Sequence, residues 1–187
     1  MNKMSGKKSD FTPVREERSR IVISYGLKKV GDLYEWYEIY IYKTQQSNIG
    51  LKEVKAAIIG DINARTDEAI LCGMDWTIQH GSDEGKAIKV WLSKENQENY
   101  KAKHDAAIQY PELVTFPMKY KVGEDEEGNA VYENFQDINE LAQFYLAGLS
   151  YIEQCYNAGW AEKDAIDWTP YEALYPQPEQ NANAEAE

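Results

Sequence analysis

The sequence predicts an α+β fold in which short antiparallel hairpins pack on about three helices, the longest of them C-terminal. Apolar residues recur at helical spacing over two long segments, 51–72 and 138–166. Between and before these segments, short strand-forming runs occur in pairs joined by glycine-containing turns. A chain of 187 residues, 43% of them hydrophobic, is long enough to bury one sizeable core, so we expect one main domain with tails.

The N-terminal segment, residues 1–20, carries six basic and three acidic side chains in a chain whose formal net charge is −12. This composition predicts a flexible basic arm. The alternative is an arm that becomes ordered on an acidic partner subunit. Residues 21–46 follow as a predicted β-hairpin appendage, with strands IVISYGL and LYEWYEIYIYK.

The second strand of this hairpin is apolar or aromatic on both faces. A half-buried antiparallel strand normally alternates apolar with polar residues, so something must cover each face. One cover is the protein's own helices; the other is a further part of the chain or a partner subunit. We therefore treat the second face as a hypothetical interaction surface, made of Tyr34, Trp36, Tyr40 and Tyr42.

Residues 47–170 are predicted to form the main α+β domain, and residues 171–187 an acidic disordered tail. The first helix runs to Cys72 and is closed by Gly73 at its C′ position. Ser93 is the expected N-cap of the second helix, which Pro111 ends. Asp137 with Glu140 three residues later forms a capping-box signature for the last helix.

Several residues are expected to form the structural framework of this domain. Arg65 falls on the apolar stripe of the first helix and needs acceptors from a carboxylate or from loop carbonyls. Large packing groups are expected at Trp76, Trp91 and Trp160. Cys72 and Cys155 lie within predicted helices without metal-type spacing, which indicates reduced core thiols; a disulfide is the less favoured interpretation.

The sequence contains no pattern that predicts catalysis, a metal site or a cofactor. Its two histidines, His80 and His104, lack ligand spacing, and no phosphate-binding glycine loop or nucleophile elbow is present. Abundant carboxylates leave a glycosidase-like pair formally open, although the acidic run 124–127 is better explained as a solvated hairpin tip. The net charge of −12 argues against nucleic-acid binding, and no apolar run suits a membrane span or signal peptide.

A succession of motifs between about residues 54 and 168 resembles a domain of unknown function in tail-associated proteins of phages and prophages. The motifs are I-x-x-R-T-D-E-x-I-L-x-G (Ile62 to Gly73), M-D-W (Met74 to Trp76), V-W-L-S-x-E-N-Q-x-N-Y (Val90 to Tyr100), F-P-M-K-Y-K from Phe116, and the closing segment from Asn134 to Trp168. The resemblance implies framework roles for Arg65, Gly73, Trp76 and Trp91, and it carries over no catalytic residues.

The resemblance implies a non-enzymatic phage structural protein, virion or tail-associated, that acts through protein–protein interaction. It would be made in the host bacterial cytoplasm and located in the phage particle. Its partners would be other phage structural proteins or further copies of itself, with no membrane or nucleic acid. The alternatives are a non-virion chaperone for tail or fibre proteins and a receptor- or glycan-binding module that uses exposed tryptophans.

Overall fold

The computed structural model describes residues 2–43 and 49–176, and it confirms the predicted α+β class with the longest helix near the C-terminus. The strands within the described residues are β1 (Asn2–Gly6), β2 (Val14–Glu16), β3 (Arg20–Val30), β4 (Leu33–Tyr42), β5 (Met74–Thr77), β6 (Ala87–Val90), β7 (Met118–Glu124) and β8 (Ala130–Phe135). The helices are α1 (Leu51–Cys72), α2 (Lys94–Gln109), α3 (Ile138–Asp164) and α4 (Thr169–Leu174).

The chain forms two compact units that differ from the predicted division. Unit 1 comprises Met1–Ala64 and Trp160–Glu187, and unit 2 comprises Arg65–Gly159. The predicted boundary between the hairpin appendage and the main domain, at 46/47, lies outside the described residues. The hairpin is not an appendage, because its sheet and the first part of α1 share the core of unit 1.

The N-terminal segment is part of the sheet, so the prediction of a flexible arm is wrong. Unit 1 contains a four-stranded antiparallel sheet in the order β1-β4-β3-β2, in which β1 pairs with β4 and β2 pairs with β3. Two basic residues of this segment form ion pairs with carboxylates of β4: Lys3 on the adjacent strand β1 lies 2.8 Å from Glu35, and Arg15 on β2 reaches across β3 to lie 2.7 Å from Glu38. These two ion pairs tie the segment to β4.

The predicted disordered tail also begins too early. Tyr171 lies in α4 and is almost fully buried, and its hydroxyl donates to the carbonyl oxygen of Ser24 at 2.5 Å. This burial raises the pKa of the Tyr171 phenol. The rest of the predicted tail, from residue 177 onward, lies outside the described residues.

The core of unit 1 follows the helical periodicity that the sequence predicts for α1. Four apolar residues of this helix belong to one buried cluster with strand residues of β3 and β4; the α1 members are Leu51, Val54, Ile58 and Ile62. One polar link reinforces the cluster, because the Tyr25 hydroxyl donates to the carboxylate of Asp61. Burial of this apolar stripe against the sheet stabilises α1.

The core of unit 2 is built around Phe144 of α3. Its ring lies 5.0 Å from Trp76, 5.1 Å from Tyr100 and 5.3 Å from Phe135, measured between ring centroids. The first two contacts are edge-to-face, the arrangement that the ring quadrupole favours. The buried residues of α3 are Leu141, Phe144, Gly148 and Gly159, whereas Leu149, Tyr156 and Trp160 are exposed.

Candidate functional site

The hypothetical aromatic surface on β4 is largely covered by the N-terminal segment. Trp36 is only 4% exposed, and the Phe11 ring approaches it edge-on with centroids 6.1 Å apart. Gly6 lies so close that a Cβ there would be 3.1 Å from the Trp36 ring. The assignment of Trp36 to an interaction surface is therefore wrong, and so is any glycan site that depends on it.

The three tyrosines of this face differ in exposure. Tyr40 is half-buried, with the Arg20 guanidinium 4.2 Å from its ring centroid and the Asn2 side-chain amide donating to its hydroxyl at 2.9 Å. Tyr34 is also half-buried, whereas Tyr42 is 69% exposed. Only the Tyr42 end of the predicted surface is therefore open to a partner.

The same face of β4 carries an ion pair whose carboxylate, Glu38, is buried. Glu38 accepts two hydrogen bonds from the Arg15 guanidinium, at 2.7 and 3.0 Å, and two longer contacts come from the Trp36 indole and the Ser24 hydroxyl. The Arg15 hydrogen bonds hold the pKa of Glu38 below its usual range, more than burial raises it. The pair links β2 to β4 across the intervening strand β3, a structural role that explains both residues.

This pair predicts a component of acid sensitivity. Because the folded-state pKa of Glu38 lies below its unfolded value of 4.5, the pair stabilises the fold above that pH, and this stability is lost as pH falls through the folded pKa. We expect the unfolding free energy to fall more steeply with acid in wild type than in Glu38→Gln. Urea unfolding at about pH 5 and about pH 3 measures this difference. An equal loss of unfolding free energy in wild type and Glu38→Gln would contradict the prediction.

The predicted framework residues separate into buried and exposed groups. Gly73 ends α1 with φ +83°, and Trp76 is half-buried in the Phe144 cluster, as packing residues should be. Arg65 is half-buried. Trp91 and Trp160 are 52% and 57% exposed, so neither is a buried group of the core. Trp91 points outward because its neighbours Val90 and Leu92 occupy the buried positions of an alternating segment.

The two cysteines are free thiols. Cys72 is exposed at the end of α1, which corrects the prediction of a core thiol, and Cys155 is half-buried. The last turn of α1 presents Leu71 and Cys72 to solvent because the apolar stripe ends at Ile70.

Sequence analysis missed the buried carboxylate of Glu133, which is 1% exposed. It accepts hydrogen bonds from the Trp76 indole (2.9 Å) and from the backbone N–H groups of Gln79 (2.8 Å), His80 (2.9 Å) and Asn134 (3.0 Å). In the sequence, Glu133 alternates with Val131 and Phe135, and this spacing indicates that it shares the buried face of β8. Four N–H donors satisfy the carboxylate, so it fixes the loop after β5.

A histidine–carboxylate contact lies beside this network. The Nε2 atom of His80 is 3.0 Å from Glu140 Oε1, while the other Glu140 oxygen accepts from the Gln136 backbone N–H at 2.7 Å. Glu140 therefore links the loop to the N-terminal turn of α3. Within the described residues, no group of three metal-ligating side chains occurs.

Unit 2 contains an open apolar cavity between α2 and α3, with a volume of about 250 Å³. It is lined by Met74, Leu92, Lys94, Gln97, Glu98, Tyr100, Lys101, Phe144, Tyr145, Gly148, Leu149 and Ile152. Gly148 leaves room at its floor, because a Cβ there would meet Leu92 at 3.7 Å and Met74 at 4.0 Å, ordinary contact distances. The cavity depends on residues from three separated segments, so no local pattern indicates it.

Comparisons of the chain with known protein families, curated proteins and solved structures found no match. The binding role proposed below is therefore inferred from the geometry of the described residues. Across residues 2–43 and 49–176, no helix is long and apolar enough to cross a membrane.

Two glycines of α3 predict opposite effects on stability. Gly148→Ala is expected to raise the unfolding free energy by about 0.5–1 kcal/mol, because alanine is the better helix former and its methyl fits. Gly159→Ala is expected to lower it, because the new Cβ would lie 2.3 Å from Thr66 Oγ1. Urea unfolding of both variants measures these changes. Equal changes in unfolding free energy would show that helix propensity alone determines the stability of the two variants.

Proposed function

We propose that this protein is a phage structural protein, virion or tail-associated, that binds other protein subunits through the apolar cavity between α2 and α3. The observation that supports this proposal is the cavity itself: it is open, its lining is mainly apolar, and Leu149 at its edge is 44% exposed. Open apolar concavities are where anchoring side chains of a partner bind.

The size of the cavity suits one large side chain of a partner. Transfer of a leucine or phenylalanine side chain from water into such a site contributes about 1.5–3 kcal/mol, enough for one anchor of an interface. Tyr100 and Phe144 provide aromatic walls, and both are held in the ring cluster of the core. The cavity is thus preformed, which lowers the entropic cost of binding.

The phage assignment rests on the motif succession from Ile62 to Trp168 and on its resemblance to tail-associated domains. A binding role through a preformed apolar cavity is compatible with a particle component and also with an assembly factor. The two differ in whether the protein stays in the finished particle.

Incorporation into particles tests the proposal. Leu149→Lys places a charge at the cavity, whereas Leu146→Lys changes an exposed leucine of α3 that is not among the cavity residues. Quantitative mass spectrometry of washed particles should find wild type and Leu146→Lys at similar levels and Leu149→Lys strongly depleted. Circular dichroism and urea unfolding establish that both variants fold. Equal incorporation of the two would refute the cavity as the binding site.

Absence of the wild-type protein from washed particles would refute the virion form of the proposal and favour the chaperone. Co-expression then decides, because a chaperone raises the yield of soluble tail or fibre protein without remaining bound to the particle. The same Leu149→Lys and Leu146→Lys pair applies: only the cavity variant should lose this effect.

A further inference from the structure

We infer that the free edge of β3 in unit 1, residues 26–30, accepts an extended acidic segment of a partner protein as an added strand. The inference goes beyond the cavity, since it concerns another unit and depends on backbone pairing. It rests on the proposed function in one respect only, namely that the protein binds other proteins.

The first observation is that β2 covers only part of β3. Val14 pairs with Ile23 and Glu16 with Ile21, and the Ser24 N–H donates to the Pro13 carbonyl at 2.9 Å. Proline has no N–H to continue the ladder, and the strand begins there. The Ser24 carbonyl accepts from the Tyr171 hydroxyl, and farther along, within the described chain, residues 26–30 make no backbone–backbone hydrogen bond on the β2 side of β3.

The second observation is a groove that begins where β2 stops. It has a volume of about 880 Å³, within the range of about 300–1,000 Å³ typical of ligand sites. Pro13, Gly26, Leu27 and Lys28 line its sheet side, and Ala165 and Ile166 line its helical side. An extended segment that entered this groove would lie beside the unpaired backbone of β3, as in strand addition to a sheet edge.

The local backbone and its lysines limit pairing of this edge with a second copy. Gly26 has φ +69°, and the pairing with β4 shifts register between Tyr25 and Lys28. Such a bulge, together with lysines, protects a sheet edge against uncontrolled self-pairing. An antiparallel pair formed by two copies of residues 26–30 would bring Lys28 and Lys29 close to their own equivalents, so the edge disfavours a second copy.

The charges favour an acidic partner. Lys8 and Lys28 line the groove, and Lys29 follows on the exposed edge. Two carboxylates, Glu162 and Asp167, line the helical side, and Asp167 accepts from the Thr169 N–H at 3.0 Å, which holds the start of α4. A strand paired with β3 meets the edge lysines first, so glutamates opposite them stabilise the pair and lysines destabilise it.

Peptide titration by NMR tests this inference. The probes are acetyl-(Glu-Val)3-amide, its lysine equivalent, and a glutamate peptide N-methylated at alternate residues. The acidic peptide should shift the amide resonances of residues 26–30 and slow their hydrogen exchange, and should bind roughly tenfold more tightly than the basic one. The N-methylated peptide should lose this binding, because it lacks the required N–H donors.

The double variant Lys28→Glu, Lys29→Glu should reverse the preference between the acidic and basic peptides. A matched control, Lys52→Glu with Lys103→Glu, changes two exposed lysines away from the edge and should leave the preference intact. Equal binding of the N-methylated peptide, or unchanged resonances at residues 26–30, would overturn the inference. Neither outcome bears on the cavity, whose test depends on Leu149, so the two failures are distinguishable.

Discussion

Gly73→Ala is expected to cost about 3–5 kcal/mol of unfolding free energy, enough to unfold much of a marginally stable domain. Gly73 ends α1 with φ +83°, a region that residues with a Cβ rarely adopt. An added Cβ would also lie 2.2 Å from the carbonyl oxygen of Val90 and 2.8 Å from its carbon. Because these are backbone atoms of the β6 segment, relief requires moving the β5–β6 hairpin. Thermal and urea unfolding measure the loss.

Gly85→Ala is the matched control for this prediction. Gly85 has φ +81°, but a Cβ there meets nothing within 4 Å. It should therefore show only the conformational cost, about 1–2 kcal/mol. If both variants lose the same stability, the close approach to Val90 contributes nothing and the argument from packing is wrong.

Glu133→Gln is expected to cost about 2–4 kcal/mol, because one carboxylate oxygen is replaced by an NH2 group, which donates hydrogen bonds and cannot accept them. Each oxygen of Glu133 has two N–H donors: the Trp76 indole and Gln79 on one, His80 and Asn134 on the other. Either orientation of the new amide therefore faces two donors. The measurements are urea unfolding and the NMR shift of the Trp76 indole N–H.

Glu126→Gln, at the exposed tip of the β7–β8 hairpin, is the control and should leave both measurements close to wild type. A Glu133→Gln variant as stable as this control would show that the four hydrogen bonds are not what holds the loop after β5. A large loss of stability with an unchanged indole shift would also contradict the specific network.

Most element boundaries follow from short-range signals in the sequence. The predicted start and end of α1 agree with Leu51–Cys72, and Ser93 caps α2 by accepting from the Asn96 N–H at 3.2 Å. Asp137 similarly accepts from the Asn139 and Glu140 N–H groups at 2.8 and 3.0 Å. These signals are reliable because the interacting groups lie within four residues of one another.

The sequence does not indicate β1 and α4 because their partners are distant in sequence. β1 pairs with residues more than 25 positions away, and the Tyr171 hydroxyl binds the carbonyl of Ser24, 147 positions away. Composition indicated a basic arm and an acidic tail, but cross-strand ion pairs and burial outweigh the cost of ordering these segments.

The sequence by itself determined the α+β class and most helix and strand limits in the middle of the chain. Only the tertiary structure decided which aromatic residues are exposed: Trp36 is covered by a segment 25 residues earlier, while Trp91 and Trp160 face solvent. It also decided the cavity beside Gly148 and the free edge of β3. Local patterns encode hydrogen bonds over a few residues, whereas a surface exists only where distant segments leave it uncovered.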